Sequence, residues 1–394
     1  MEAKLKILTK QYDEVGTVDT KEWGKISSIF FDNEGNMWVG TSENGLKKVD
    51  MKTNKIQSFE VDENNDNKLK SHSIREILQD SNGVMWVATE KGLSKYVGDN
   101  KFITYQNKSY DNSTIANDIV YTMIEDESGL IWVGTYTGVS VFDSKNKIEI
   151  YKNDPIDDNS LSDNVVMGVY EDEDNLLWIG TRDRGLNIID RENNTIKHIY
   201  EGDTSKDLST NAISIITGKD NIIWVGTRNG LNKINKDDMT IEKYKVEDGL
   251  IDNNIKGLFI DEKNNLWIGT PIGLTVLNIE TNEITDFTSR LIKAGIKEPY
   301  VRTVYEDKDE DGVYWIGGYI SEGLIKFDIN KDTIEMYSKY EENGKQVIVN
   351  TIRTIVEDEE NNLWIGTNSG LLKFNKIDKK KSSEEIARLK EQRI

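Results

Sequence analysis

Eight tryptophans recur along the chain at nearly constant spacing, and this regularity constrains the fold more than any other feature. Each lies in a short segment of the type Trp-Ile/Val-Gly-Thr, and neighbouring copies are 43 to 49 residues apart. A fixed period of this length indicates repeats of one structural unit, so we expect one large architecture and not several separate domains. The tryptophans are Trp38, Trp86, Trp132, Trp178, Trp224, Trp267, Trp315 and Trp364.

Each unit contains four short apolar segments separated by turn residues. In the third unit these segments are residues 119–124, 131–135, 138–142 and 148–151. The links between the first two segments are rich in Asp, Asn and Gly, which is typical of tight hairpins. Before residue 376 no apolar pattern keeps a period of 3.6, so helices are not expected in the repeats. The sequence therefore predicts an all-β fold, a β-propeller of four-stranded antiparallel blades.

The two ends of the repeat region indicate how the ring closes. The last unit has no fourth strand before the charged tail, whereas residues 6–12 resemble the fourth strands at 195–200 and 333–337. The N-terminal strand is predicted to complete the last blade, which leaves no open sheet edge. We expect a single eight-bladed propeller over residues 1–375, with seven blades plus a stray unit as the alternative. Residues 376–394 are predicted to form a polar helical tail or linker, the start of a connector to a downstream module or a frayed terminal helix.

Composition narrows the classes of partner. Asp and Glu outnumber Lys and Arg by 70 to 50, giving a net charge of −20, so a nucleic-acid partner is not expected. There is no cysteine, which excludes disulfides and thiolate metal sites. No apolar run approaches the length of about 20 residues that a membrane helix needs, and the N-terminus has no apolar core of a signal peptide. We therefore expect no membrane insertion by this segment.

The repeated tryptophans are expected to lie in the core, because a residue present in every unit serves packing that every unit shares. The small residue two places later, as in Gly134, would let the ring pack closely against a neighbour. Trp23 lies outside the repeated segment and is the one tryptophan expected to be available for contact with another molecule.

Functional residues are expected where the repeats differ, in loops that gather at one face of the ring. The residue eleven places before each tryptophan, allowing for two extra residues in unit seven, is a cation in four of the eight units. The eight residues are Ser27, Arg75, Tyr121, Met167, Ile213, Lys256, Arg302 and Arg353.

Turns between the second and third strands and the loops entering the blades add further Arg, Tyr and His residues on the same face. Arginine forks bind carboxylate or sulfate groups, and aromatic rings stack on sugars, so the mixture favours a small anionic or oligosaccharide ligand. The alternative is that each cation pairs with a nearby acid such as Glu76 or Asp183. The predicted ligand-binding residues are His72, Arg75, Tyr121, Tyr136, Arg182, Arg184, Arg228, Lys256, Tyr300, Arg302, Tyr319 and Arg353.

One turn resembles the start of a calcium-binding loop. Asp307, Asp309 and Asp311 alternate before Gly312, and carboxylates at this spacing can direct oxygens at one hard cation. The pattern breaks at its twelfth position, where Gly318 replaces the usual Glu. Calcium is therefore one interpretation and an ordinary acidic hairpin is the other; no other cofactor is expected.

Catalytic patterns are scarce. The chain has only two histidines, His72 and His198, and no nucleophile elbow, phosphate loop or zinc motif. We therefore expect a binding protein, not an enzyme. Two alternatives stay open: a protein-interaction scaffold, and a lyase in which a Tyr or His72 beside an Arg abstracts a proton.

Residues 358–374 read Asp-x-x-Asn-x-Leu-Trp-Ile-Gly-Thr-x-x-Gly-Leu, and residues 171–188 carry the same motif with one more residue between Thr181 and Gly185. Residues 157–164 contain Ser-Leu-Ser-x-Asn. These motifs closely resemble the two-component regulator propeller repeat, over residues 4–375. The resemblance implies an extracytoplasmic sensor module of a bacterial signalling protein, often one for oligosaccharides, acting on a downstream signalling module. Such sensors commonly carry two propellers and an immunoglobulin-like domain, whereas here one ring is followed by a polar tail.

Overall fold

The structure is a computed structural model that describes residues 4–5, 7–8, 18–19, 23–108, 114–142, 148–320, 323–337, 339–342, 345–348, 351–358, 361–368 and 370–376. Eight four-stranded sheets follow one another along the chain. Each of the eight repeated tryptophans lies in the second strand of its own sheet. The predicted all-β, eight-bladed propeller is therefore confirmed, and the alternative of seven blades plus a stray unit is wrong.

The blades are numbered 1 to 8 in chain order, and their strands are given from first to fourth. Blade 1 has Ile26–Phe31, Met37–Thr41, Leu46–Asp50 and Lys55–Ser58; blade 2 has Ile74–Gln79, Met85–Thr89, Gly92–Gly98 and Lys101–Tyr105; blade 3 has Val120–Glu125, Ile131–Thr135, Gly138–Phe142 and Ile148–Tyr151; blade 4 has Val166–Glu171, Leu177–Thr181, Leu186–Asp190 and Thr195–Ile199. Blade 5 has Ile213–Lys219, Ile222–Thr227, Gly230–Asn235 and Ile241–Tyr244; blade 6 has Gly257–Ile260, Asn265–Thr270, Gly273–Asn278 and Ile284–Asp286; blade 7 has Tyr300–Glu306, Val313–Tyr319, Leu324–Asp328 and Thr333–Tyr337; blade 8 has Ile352–Glu357, Asn362–Thr367 and Gly370–Asn375.

The ring closes through blade 8. Its first strand contacts the first strand of blade 1, as the first strands of all other neighbouring blades contact each other. The fourth strand of blade 8 is Ile7–Leu8, as the N-terminal sequence predicted. This strand runs parallel to Gly370–Asn375, however, whereas antiparallel pairing was expected. A second short N-terminal strand, Lys4–Leu5, pairs with Val18–Asp19.

Besides the pair Lys4–Leu5 and Val18–Asp19, three short elements of the described chain lie outside the blades. A hairpin, Lys339–Glu342 with Lys345–Ile348, joins blades 7 and 8, and Val246–Asp248 forms one turn of 3-10 helix. The six-residue helix Thr288–Lys293 follows blade 6 and buries Leu291. It was not expected, because six residues are too few to establish a period of 3.6. None of the described helices is long and apolar enough to cross a membrane. Of the predicted helical tail, 376–394, residues 377–394 lie outside the described residues.

The repeated tryptophans are buried between blades, as predicted. Trp178 of blade 4, for example, packs against Ile223 and Val225 of blade 5. A Cβ added at Gly180 would lie 2.5 Å from Ile213 Cγ2 of blade 5, so glycine is needed for this close approach. The prediction for Trp23 is wrong: it is only 3% exposed and packs in the core between blades 1 and 8.

A buried carboxylate accompanies seven of the eight tryptophans. In each case an aspartate at the start of the hairpin accepts a hydrogen bond from the indole nitrogen at 2.7 to 2.9 Å. In blade 5 the hairpin is shorter and Lys219 stands in the equivalent place, so Trp224 Nε1 has no hydrogen-bond partner among the described residues. From the sequence, these aspartates were predicted only as turn residues. The pairs are Asp32–Trp38, Asp80–Trp86, Asp126–Trp132, Asp172–Trp178, Asp261–Trp267, Asp307–Trp315 and Asp358–Trp364.

Candidate functional site

The first strand of nearly every blade begins with a β-bulge, and the bulged residue is the one at which the repeats differ. The ladder between the first and second strands skips one residue in seven blades. In blade 6 the equivalent Lys256 precedes the strand and donates its N–H to Gly269 O at 2.8 Å. A bulge changes the direction of a side chain and is common beside binding sites. The skipped residues are Ser27, Arg75, Tyr121, Met167, Ser214, Arg302 and Arg353.

Blade 5 corrects one predicted member of this set. Ile213 is buried and pairs with Thr227, and the skipped residue is Ser214. The hairpin of blade 5 is one residue shorter than that of blade 4, so counting back from the tryptophan lands one position early. The four cations at this position are unaffected by the correction.

The predicted residues lie at one end of the blades. The turns after the second strands return to the residues that precede the first strands: Arg182 N donates to Val165 O at 3.0 Å and Tyr136 N to Ile119 O at 3.0 Å. Because the first strands contact one another around the ring, this end surrounds the central channel. We call it the channel mouth. The exposed Arg184 lies in the same turn as Arg182, and the carbonyl of His72 accepts from Gly45 N in the corresponding turn of blade 1.

On one side of the mouth, in blades 2 to 4, one arginine is paired with an acid and two arginines lie over aromatic rings. Arg75 forms an ion pair with Glu90 at 2.8 Å, and its guanidinium carbon lies 4.8 Å from the centre of the Tyr121 ring. Arg182 lies 5.8 Å from the ring centre of Tyr136, which is itself 6.5 Å from Tyr121. The alternative of pairing with an acid is therefore realised for Arg75, although the partner is Glu90 and not Glu76.

Glu76 is instead buried in the wall between blades 2 and 3. Its Oε2 accepts the backbone N–H of Met123 at 2.7 Å. Burial raises the pKa of Glu76 to about 7, because the ionised carboxylate loses its hydration and the hydrogen bonds from Met123 and Thr122 only partly replace it.

The other side of the mouth, in blades 5 to 8, carries uncompensated positive charge. Arg228, Lys256, Arg302 and Arg353 form what we call the cation cluster. Arg228 and Arg302 are exposed, and Lys256 and Arg353 are half-buried. In the described parts of the chain, no carboxylate lies within ion-pairing distance of any of the four.

The pKa shifts report the repulsion within this cluster. Burial lowers the pKa of Lys256, and the charges of Arg228 and Arg302 lower it further, with Asp252 opposing them. Burial likewise lowers the pKa of Arg353, and Arg302 adds to that shift. Like charges held together with no acid at ion-pairing distance favour the binding of an anion.

Two tyrosines form an aromatic wall beside the cation cluster. The rings of Tyr300 and Tyr319 are 4.8 Å apart, at opposite positions of the hairpin in blade 7. Arg353 donates from Nη2 to the Tyr319 hydroxyl at 3.2 Å and from Nε to Asn368 Oδ1 at 2.7 Å. Tyr319 remains 39% exposed, so an aromatic surface is available next to the guanidinium groups.

The predicted calcium ligands are not all brought together. Asp307 and Asp309 lie with Glu357 in a group of carboxylates that could hold a metal ion, whereas Asp311 pairs with Lys263 at 2.7 Å. Lys376 Nζ already lies among the group, 2.9 Å from Asp307 and 3.3 Å from Asp309, and also pairs with Glu357. Calcium binding stays a prediction, with a lysine ammonium in the place a cation would take.

Gly257 and Gly318 lie against the backbone of Arg302 and were not predicted as residues of the site. Gly318 stands where the other seven blades have threonine, so a break in the Trp-Ile/Val-Gly-Thr segment was the available signal. Gly257 carries no comparable signal, because the residues at its position vary from blade to blade.

Comparison with known proteins agrees with this architecture. The family described as two component regulator propeller matches residues 22–43, 68–91, 114–137, 160–183, 249–271 and 346–369. Histidine kinase P4 of Formosa agariphila is 31% identical over 136 residues, which are 32% of this chain and 9% of that protein.

Solved structures are similar over most of the ring. The extracellular domain of a protein of B. thetaiotaomicron assigned as a hybrid two component system is 25% identical, with a TM-score of 0.58, over 75% of this chain and 39% of that one. The extracellular domain of one assigned as a one component system is 22% identical, with a TM-score of 0.50, over 90% and 48%.

Virginiamycin B lyase from Staphylococcus aureus, 13% identical with a TM-score of 0.51 over 94% and 97%, shares the fold alone. The chain spans less than half the length of these signalling relatives. The chain contains repeats that match the two-component regulator propeller family, and it is homologous to the extracellular domain of a two-component system.

Proposed function

We propose that this chain is an extracytoplasmic sensing module that binds a small anionic ligand or an acidic oligosaccharide at the channel mouth. Its homology to extracellular domains of two-component systems supports the sensing role and the location. A downstream signalling module reached through residues 376–394 is the proposed partner.

The observation that carries the proposal is the cation cluster. In a chain of net charge −20, Arg228, Lys256, Arg302 and Arg353 gather at one side of the channel, and among the described residues no carboxylate lies within ion-pairing distance of them. A bound anion would relieve the repulsion that lowers the pKa of Lys256. Guanidinium groups offer paired donors to a carboxylate or sulfate, and the exposed Tyr319 ring offers a face to a sugar.

The test is a binding screen by calorimetry and thermal shift with four probes: tetragalacturonate, a chondroitin sulfate disaccharide, maltotetraose and inorganic sulfate. We expect the acidic saccharides to bind and maltotetraose not to bind. A ligand present at 100 times its Kd should add about 2.7 kcal/mol to the free energy of unfolding. The absence of binding by both acidic saccharides would count against the proposal, and turnover of tetragalacturonate would indicate a lyase instead.

Charge-neutralising variants locate the site. Arg302→Gln is expected to weaken binding of the acidic probe by about tenfold or more, because it removes one fork of the cluster. Arg290→Gln is the matched control: it removes the same charge, but Arg290 pairs with Asp332 beside a groove between blades 6 and 7. Arg75→Gln tests the opposite side of the mouth, where the arginine is paired with Glu90. Equal weakening by Arg302→Gln and Arg290→Gln would show an effect of overall charge and not of this cluster.

A further inference from the structure

The backbone of Arg302 lies between two glycines. A Cβ added at Gly257, in the first strand of blade 6, would lie 2.3 Å from the carbonyl oxygen of Arg302. A Cβ added at Gly318, in the second strand of blade 7, would lie 3.0 Å from Arg302 N and 1.9 Å from the carbonyl oxygen of Tyr300. Distances of 1.9 and 2.3 Å are far shorter than any contact that a Cβ atom makes with a backbone atom in proteins. Neither glycine can therefore carry a side chain while Tyr300 and Arg302 hold these positions.

The repeat itself shows that the propeller does not need glycine at position 318. The other seven blades have threonine there, and each threonine hydroxyl donates to the carbonyl of a glycine in the following turn at 2.7 to 3.0 Å. Blade 7 gives up this hydrogen bond. The threonines are Thr41, Thr89, Thr135, Thr181, Thr227, Thr270 and Thr367.

Position 257 shows the same relation to the repeat. The equivalent residues, which pair with the glycine or alanine of the second strand, carry side chains in six blades. Only blade 4 also has glycine, Gly168, and a Cβ added there would meet nothing within 4 Å. The six are Ser28, Glu76, Thr122, Ile215, Thr303 and Thr354.

We propose that Gly257 and Gly318 are positioning residues of the anion site: by carrying no side chain, they admit the Tyr300–Arg302 backbone and so place Arg302 beside Lys256 and Arg353, and Tyr300 against Tyr319. As far as a ligand is concerned, this inference rests on the proposed function. It deepens that function, because the residues that the two glycines place together come from blades 6 to 8. The ligand class that fits is a sugar acid whose charged group meets the cations while its ring lies on the tyrosine wall.

The test compares Gly318→Ala, Gly318→Thr and Gly257→Ala with the control Gly168→Ala. The first readout needs no ligand: the pKa of Lys256 is measured by NMR, with Arg302→Gln as the reference for complete loss of the Arg302 charge. We expect the pKa of Lys256 to rise toward its ordinary value in Gly318→Ala, as Arg302 moves away, and to stay unchanged in Gly168→Ala. Gly318→Thr should remain folded, since seven blades accommodate threonine, and should give the same rise.

The second readout is affinity for tetragalacturonate. Gly318→Ala and Gly257→Ala are expected to weaken binding by about tenfold, because sites of this kind tolerate displacements of only about 0.5 Å. Gly168→Ala should bind within a factor of about two of the natural protein.

The two readouts separate the two ideas. If the natural protein binds none of the probes, the proposed function fails, while the Lys256 titration still decides the positioning role. If Gly318→Ala and Gly318→Thr fold but leave both the Lys256 pKa and the affinity unchanged, the positioning role is wrong. Should neither Gly318 variant fold, Gly257→Ala decides by affinity and by the NMR signals of Arg353 and the Tyr319 ring, which must shift if Arg302 is displaced.

Discussion

Asp172 Oδ2 accepts a hydrogen bond from the indole Nε1–H of Trp178 at 2.8 Å, with both side chains buried. The same bond recurs in every blade except blade 5, where Trp224 Nε1 finds no acceptor in the part of the chain that the structure describes. The aspartate that opens each hairpin thus has two roles. It forms the turn through its backbone contacts, and it satisfies an indole that would otherwise be buried without an acceptor.

Blade 5 supplies the natural control for the energy of this bond. Trp178→Phe and Trp224→Phe remove the same ring atoms, but only the first leaves a buried carboxylate without its donor. We expect Trp178→Phe to lower the free energy of unfolding by about 1–3 kcal/mol more than Trp224→Phe does. Urea unfolding followed by tryptophan fluorescence measures the difference. Equal losses would mean that the indole bond contributes little beyond packing.

The same aspartates predict how the propeller responds to acid. Burial favours the neutral form of Asp32, but the hydrogen bonds from Trp38 and Asn36 and the nearby Lys48 hold its pKa below the ordinary 3.8. Asp261 is shifted in the same direction. Because the folded pKa is lowered, this stabilisation is present above about pH 4 and is lost as pH falls through the folded pKa. Melting temperature should therefore drop steeply below pH 4, and less steeply in Asp32→Asn.

Glu76 should act with the opposite sign. Its pKa of about 7 lies above the ordinary 4.5, so the folded protein binds a proton that the unfolded chain releases between these values. Stability contributed by this group is present below about pH 4.5 and falls as pH rises to 7. We expect Glu76→Gln to remove this pH dependence and to be more stable at pH 8, by up to about 3 kcal/mol. Glu90→Gln, which removes a carboxyl group at the exposed partner of Arg75, is the matched control.

Lys376 is expected to be essential to blade 8. It is buried among Asp307, Asp309 and Glu357, so Lys376→Met leaves buried carboxylates without a cation, at a cost of about 3–5 kcal/mol. Lys263→Met breaks an exposed pair with Asp311 and should cost less than about 1 kcal/mol. Thermal unfolding compares the two.

Adding Ca²⁺ to Lys376→Met tests the calcium interpretation. If added Ca²⁺ raises the melting temperature of Lys376→Met but not that of the natural protein, the carboxylate group can hold a cation once the ammonium is removed. If Ca²⁺ has no effect on either protein, the calcium interpretation of the Asp307 turn is wrong.

Much of the fold could be predicted from the sequence because its determinants are local and repeated. The spacing of the tryptophans gave eight blades, and the missing fourth strand after Trp364 pointed to the N-terminus. Local patterns could not show that Ile7–Leu8 runs parallel to its neighbour, nor that Trp23 is buried between blades 1 and 8. Both depend on how the two ends of the chain meet.

The candidate site divides in the same way. Variation at the position eleven before each tryptophan identified Arg75, Lys256, Arg302 and Arg353 from the sequence alone, because a repeat makes its own exceptions visible. The sequence treated these four cations as equivalent, and they are not: Arg75 has Glu90 as a partner, whereas Arg302 lies among other cations. Only the tertiary structure decided this, because Arg75 meets Glu90 from the next turn of its own blade, whereas the cations around Arg302 come from neighbouring blades. The repeat determines the ring, and tertiary contacts within and between its blades determine which of the cations have an acidic partner.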